Sequence, residues 1–128
     1  VEDNKEGGGK TMDAASLPKA ELAYVEERKV TEYLLALGHP DGHDKAVFFM
    51  SFGFRPQQWE RLVEALLDHA RGNQLAGKEE TPFGVQYVVD GPMRVPDGRS
   101  PSVRSVWEQK PGGRGPRLVT AYPAPTRR

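Results

Sequence analysis

His39, His43 and Lys45 fall within the seven-residue segment His39-Pro40-Asp41-Gly42-His43-Asp44-Lys45. A histidine can accept or donate a proton near neutral pH, and a lysine ammonium can stabilise negative charge developing on a phosphate. Farther along, Arg99, Arg104 and Arg117 carry planar guanidinium forks suited to holding phosphate oxygens in pairs. Thr120 and Tyr122 add hydroxyls, and Trp107 offers an indole on which an unpaired base can stack. Together these groups suffice for metal-independent cleavage of RNA. A base activates the ribose 2′-hydroxyl, cationic groups stabilise the crowded phosphate, and an acid protonates the departing 5′-oxygen. The product is a 2′,3′-cyclic phosphate, and DNA lacks the nucleophile.

Each of these residues has a structural reading beside the chemical one. His39, before a proline, can close a helix terminus, and His43 can be a surface side chain. Lys45 near a helix start faces the unfavourable end of the helix dipole, a local cost that a phosphate-facing role would explain. Trp107 on an alternating strand also suits a core, whereas Arg104 should face opposite Val103. Thr120 and Tyr122 share parity with Leu118, which argues for burial unless sheet twist or a bulge exposes them. A metal site is the weaker alternative. His39 and His43 stand four apart, but Pro40 and Gly42 do not suit a helical ligand pair, and Asp41, Asp44 and His69 would join them only through the fold. No cofactor is expected: Gly7-Gly8-Gly9-Lys10 lacks the preceding strand and the spacing of a phosphate loop.

The elements that must position these groups follow from the pattern. Ser16 and Pro18 open a predicted helix that carries Leu22, Val25, Val30, Leu34 and Leu37 on one stripe and stops at Gly38. Asp44 caps a second, Lys45 to Phe52, burying Phe48, Phe49 and Phe52. Trp59, Leu62, Val63, Leu66, Leu67 and Ala70 recur at the spacing of one face of a third helix, closed by Gly72-Asn73. A loop is expected to run to Pro82. The period then changes to two. Phe83, Val85, Tyr87 and Val89 mark a strand, Asp90-Gly91 a turn, and Pro96-Asp97-Gly98 another. Val103 to Glu108 and Arg117 to Tyr122 are further strands, joined by Pro111–Pro116. Helices followed by a meandering sheet give an α+β domain with helices packed on one sheet face.

Charge is distributed unevenly. Residues 1–80 hold 10 Lys/Arg against 15 Asp/Glu, and residues 81–128 hold 8 against 3, so the sheet region is net positive and suited to a polyanion. The chain has no cysteine, so thiol chemistry is excluded, and no run approaches the roughly 18–20 apolar residues of a membrane span. Residues 1–15 read as a polar, Gly-rich lead-in, residues 16–126 as one domain, and Arg127-Arg128 as a basic tail. A start without methionine reads as a piece of something longer.

Val1-Glu2-Asp3-Asn4 resembles the VENN-type motif that marks the variable C-terminal toxin region of contact-dependent growth-inhibition (CdiA-type) proteins. The segments His39–Ala46 with Phe48-Phe49, Val103–Trp107 and Arg117–Pro123 are similar to small polymorphic-toxin domains over about residues 17–123. The resemblance implies a nuclease with the barnase/RelE-like arrangement of helices before an antiparallel sheet, with tRNA as a frequent substrate. It nominates His39 or His43 for proton transfer, Lys45 and Arg104 as phosphate stabilisers, and Thr120 and Tyr122 to orient substrate or support the acid. It also implies a cognate immunity protein as partner and delivery from a large cell-surface protein to a target-cell cytoplasm, without stable membrane insertion of this domain. The separate import module common after such motifs has no room in about 15 residues. Arg99, Trp107 and Arg117 are the expected RNA contacts of this nuclease, and a non-catalytic RNA- or protein-binding module is the rival reading.

Overall fold

The computed structural model describes residues 15–125; the VEDN motif, most of the expected lead-in and the Arg127-Arg128 tail lie outside the described residues. A single α-helical turn (α1, Glu27–Lys29) widens directly into a π-helical turn (Val30–Leu34), and helices α2 (His43–Ser51) and α3 (Trp59–Gly72) follow. Four strands complete the chain: β1 (Leu75–Thr81), β2 (Gly84–Pro92), β3 (Ser102–Gln109) and β4 (Arg117–Pro123). They form an antiparallel meander in the order β1-β2-β3-β4. The protein is α+β with its helices N-terminal and its sheet C-terminal, as its pattern of periods predicts.

Helix α3 has the bounds its periodicity predicts, with Leu62, Ala65, Leu66, His69 and Ala70 buried. That face packs on β2 and β3, where Tyr87, Val89, Val103 and Trp107 close the core. The expected first helix is not continuous. Lys19 adopts a left-handed conformation, Ala20–Leu22 make one 3-10 turn, and the chain then extends. Tyr24 N donates to Pro116 O at 3.0 Å and Leu118 N donates to Tyr24 O at 3.1 Å, a parallel bridge onto the open edge of β4. The sheet edge offers these peptide groups better-placed partners than a helix would, so tertiary bonding overrides local propensity. Leu22 and Leu37, assigned to the stripe, are exposed, while Val30 and Leu34 are fully buried.

Five further expectations are corrected. Residues 75–81 are an edge strand rather than a loop; its Lys78, Glu79 and Glu80 hide the alternation that marks a half-buried strand and discourage edge-to-edge pairing. Strand β2 passes straight through Asp90-Gly91, where no turn forms. A Cβ at Gly91 would collide with the Asn73 side chain, which donates to His69 O (2.9 Å) and Pro92 O (3.1 Å) and so ties the end of α3 to β2. Phe83 sits exposed at the β1–β2 turn rather than in a strand, and helix α2 begins without a side-chain cap from Asp44. Of its phenylalanines only Phe49 is fully buried; Phe48 and Phe52 are half-buried beside it.

Trp107 is fully buried, so a nucleotide base cannot reach its faces in this fold; the stacking role is withdrawn. Its indole Nε1–H donates to Ser105 Oγ at 2.8 Å. His69, from α3, directs Nε2 at the carbonyls of Val103 (2.8 Å) and Gly91 (3.2 Å), which only accept, so the ring proton sits there. Nδ1 then accepts from the Ser105 hydroxyl at 3.1 Å. The buried network is fully satisfied with a neutral ring.

Burial, partly opposed by the Val103 and Gly91 carbonyls, pushes His69 below the ordinary histidine value of 6.5. As pH falls through 6.5 the unfolded chain takes up a proton that the folded one refuses. Stability is therefore complete above that pH and declines below it until the folded-state value is reached. Thermal melts at about pH 7.5 and about pH 5.5 should show a lower midpoint at the acid value for the wild type and a smaller drop for His69→Gln. Equal drops in the two proteins would contradict this account.

Candidate functional site

Strand β4 pairs with β3 in two registers. Val106 faces Thr120 and Trp107 faces Leu118, leaving Val119 as an extra residue. This bulge inverts the parity of the strand. Leu118 and Ala121 are buried with the core, while Thr120 and Tyr122 turn to the opposite face with Arg104. The conflict in the sequence pattern is thus resolved in favour of exposure. Across the sheet, Asp90, Arg104 and Tyr122 occupy one row.

Tyr33, in the π-helical turn, brings the helical side onto this face. Its hydroxyl lies 3.1 Å from Thr120 Oγ1. The His39 ring packs edge-on against the Tyr33 ring, centroids 5.1 Å apart. Lys45 Nζ stands 5.4 Å from the Tyr33 ring and 6.0 Å from the Tyr122 ring, and Lys29 Nζ stands 5.2 Å from Tyr33. Gly42 permits the approach: it is buried, and a Cβ there would collide with the Tyr33 carbonyl oxygen. The fold therefore gathers His39, Lys45 and Thr120 on a residue that periodicity did not single out, with Tyr122 reached through Lys45 and Arg104 beside Tyr122 on the neighbouring strand. Tyr33 lay off the apolar stripe of a presumed helix; the available signal was a large, hydroxyl-bearing ring at a position the stripe did not need.

The loop between the π-helical turn and α2 fixes both histidines. His39 Nδ1 accepts from the peptide N–H groups of Asp41 (2.9 Å) and Gly42 (3.0 Å), and His43 Nδ1 meets Leu37 O at 2.7 Å. Among the described residues, Nε2 of neither ring has a hydrogen-bond partner. Lys45 Nζ donates to Asp41 O at 3.3 Å and makes no salt bridge among the described residues. Tyr33 and His39 also line an open cleft of about 670 Å³ with Lys29, Glu26 and Arg117; His43 and Lys45 are not part of that lining.

The arginines are differently placed. Arg104 grips Asp90 through both fork nitrogens at 2.8 Å, and that carboxylate, with Tyr122 contributing less, raises the guanidinium above the usual arginine value. Arg117 meets Glu108 (3.0 Å) and Glu26 (3.2 Å) and is raised chiefly by Glu108. Arg99 binds Asp97 and Ser51 O and stacks on Phe52 at 4.4 Å, around the end of α2 opposite His43. It does not join the gathered group. The three arginines are thus each paired with a carboxylate, and the surface is mixed in charge, with Lys29 lining the cleft beside Glu26, Glu27 and Glu32.

A family model described as a domain of unknown function (DUF6883) matches residues 16–125. No curated protein matches the sequence. Among solved structures, a chain of a contact-dependent growth inhibition toxin–immunity protein complex from Klebsiella pneumoniae 342 superposes with a TM-score of 0.64 at 17% identity, covering 79% of this chain and 99% of that one. At that identity the likeness is one of fold.

The Tyr33–Thr120 contact is the direct tie between the π-helical turn and β4 at this site. A double-mutant cycle of Tyr33→Phe and Thr120→Val, followed by urea denaturation, should return a coupling of about 0.5–1.5 kcal/mol. Additive single effects would show that the hydroxyls do not hold the two elements together.

Proposed function

The chain belongs to the DUF6883 family, and we propose that it is the toxin domain of a contact-dependent growth-inhibition system, acting as a metal-independent endoribonuclease on tRNA. Residues 16–126 form the toxin and residues 1–15 its lead-in. It is exported as part of a large cell-surface protein, delivered to the target-cell cytoplasm, and neutralised in its producer by a cognate immunity protein covering the site. The fold shared with a chain of a toxin–immunity complex supports the toxin part of this reading. No described helix is long and apolar enough to cross a membrane.

The observation that carries the ribonuclease part is a linked group drawn from segments more than seventy residues apart: His39, Lys45 and Thr120 meet Tyr33, and Lys45 also reaches the Tyr122 ring. Histidines at the α2 junction remove the proton of the ribose 2′-hydroxyl and serve the reacting phosphate. The 2′-oxygen then attacks phosphorus while the Lys45 ammonium offsets charge on the phosphate oxygens. The bond to the 5′-oxygen breaks, that oxygen takes up a proton, and a 2′,3′-cyclic phosphate is left. Thr120 and Tyr122 orient the substrate, and Arg104, held by Asp90, positions Tyr122 from the neighbouring strand. The proposed chemistry runs on the protein's own cations. A purely binding role on a basic sheet finds less support, because the forks of Arg104 and Arg117 already hold carboxylates.

The purified protein should cleave total tRNA in the presence of EDTA, leave cyclic-phosphate ends and spare DNA. Lys45→Ala should lower kcat/KM by roughly 100-fold with the fold intact by circular dichroism. Fragments without cyclic phosphate, or DNA cut with equal ease, would refute the mechanism. RNA binding with no cleavage product would favour the binding module.

A further inference from the structure

We propose that the two histidines do different work: His43 takes the proton of the attacking ribose hydroxyl at Nε2, while His39 holds a phosphate oxygen through its Nε2–H and keeps its own proton. The proposal rests on the ribonuclease reading above and assigns roles within that site.

The assignment follows from which atoms face the two rings. A peptide N–H can only donate, and His39 Nδ1 receives two of them, from Asp41 at 2.9 Å and Gly42 at 3.0 Å. That nitrogen is therefore bare, and the ring's single proton sits on Nε2. Such a ring has no lone pair at Nε2 with which to act as a base. Surrendering the Nε2 proton would leave an imidazolate, so it is no proton donor in the full sense either. What it offers is a fixed hydrogen bond to an oxygen on which negative charge develops, the arrangement that stabilises transition states by preorganisation.

His43 has the opposite pattern. A peptide carbonyl can only accept, so the 2.7 Å contact with Leu37 O places the proton on Nδ1 and leaves the lone pair of the neutral ring on Nε2. The side chain is exposed at the start of α2. A base oriented through its other nitrogen is the pattern of activated nucleophile sites. When Nε2 gains a proton, the bond to Leu37 O becomes charge-assisted and strengthens. His43 N donates to His39 O at 2.9 Å, so one hydrogen-bonded turn links the two residues.

The 2′-oxygen loses its proton to His43 Nε2 and forms its bond to phosphorus. The electron pair of the phosphorus–5′-oxygen bond leaves with that oxygen, which takes a proton from water. The His43 proton then returns to solvent, neutralising the hydroxide. His39 exchanges nothing.

The test compares His39→Ala, His39→Gln, His43→Ala and His43→Gln on total tRNA in EDTA, beside nitrogen-15 imidazole correlation spectra of the wild type. Glutamine keeps an N–H near the position of Nε2 but cannot exchange a proton. His39→Ala should lose about 100- to 1,000-fold in kcat, and His39→Gln should stay within about tenfold of wild type. Both His43 variants should lose about 100- to 10,000-fold. The spectra should show the ring proton on Nε2 of His39 and on Nδ1 of His43. Three outcomes overturn the proposal: His39→Gln folded but more than about 100-fold impaired, His43→Gln retaining activity, or the opposite tautomers. If His39→Ala does not fold, His39→Gln against wild type decides. A wild type that cleaves no RNA removes the ribonuclease reading itself, and the spectra still decide the tautomers independently.

Discussion

Strand β4 carries one residue more than β3 can pair, and the accommodation of that residue at Val119 governs what the outer face presents. Without the bulge, Thr120 and Tyr122 would follow Leu118 into the core, and the Tyr33 hydroxyl would meet no partner on the sheet. With it, Leu118 and Ala121 fill the core while the two hydroxyl-bearing residues face the helical junction. A bulge costs one ladder position and locally increases twist, and such irregularities often re-aim side chains beside functional sites. The parallel bridge of Tyr24 to the same strand anchors the segment that leads into the π-helical turn. Both ends of the Tyr33 contact thus depend on how β4 is bonded.

The opposite face of the sheet is held by different means. His69, Ser105 and Trp107 form a closed set of buried hydrogen bonds joining α3 to β2 and β3. Removing one member would strand the others, because a buried polar group without a partner bears its full desolvation penalty. This network shares no residue with the His39–Tyr33–Lys45 group. The sheet therefore separates a buried, largely apolar side from a polar side whose residues are partly exposed.

Regional charge proved a poor guide to local electrostatics. The net positive balance of residues 81–128 is real, yet Arg99, Arg104 and Arg117 are each paired with a carboxylate, and Arg117 draws one from the N-terminal half. Pairing of this kind fixes geometry more than it supplies attraction for a distant polyanion. Lys45 meets the Asp41 carbonyl and two aromatic rings and makes no salt bridge among the described residues, so its charge is less compensated than that of the strand arginines.

Local pattern alone determined the α+β class, the place of α3 between Trp59 and Gly72, the approximate extents of β3 and β4, and the clustering of His39, His43 and Lys45 within seven residues. Those features are local: a 3.6- or 2-residue repeat, or a proline and glycine near a histidine, is written in consecutive residues. Tertiary structure decided what no window contains. The Val119 bulge set the facing of Thr120 and Tyr122. The open edge of β4 drew Tyr24 out of a helical pattern. Strand β1, charged and exposed, exists because β2 supplies its hydrogen bonds. Trp107 joined the core because its strand parity places it under α3, and Tyr33 entered the site through contacts with residues up to 87 positions away. Long-range hydrogen bonds and packing are free energies between segments, and a sequence records only the segments.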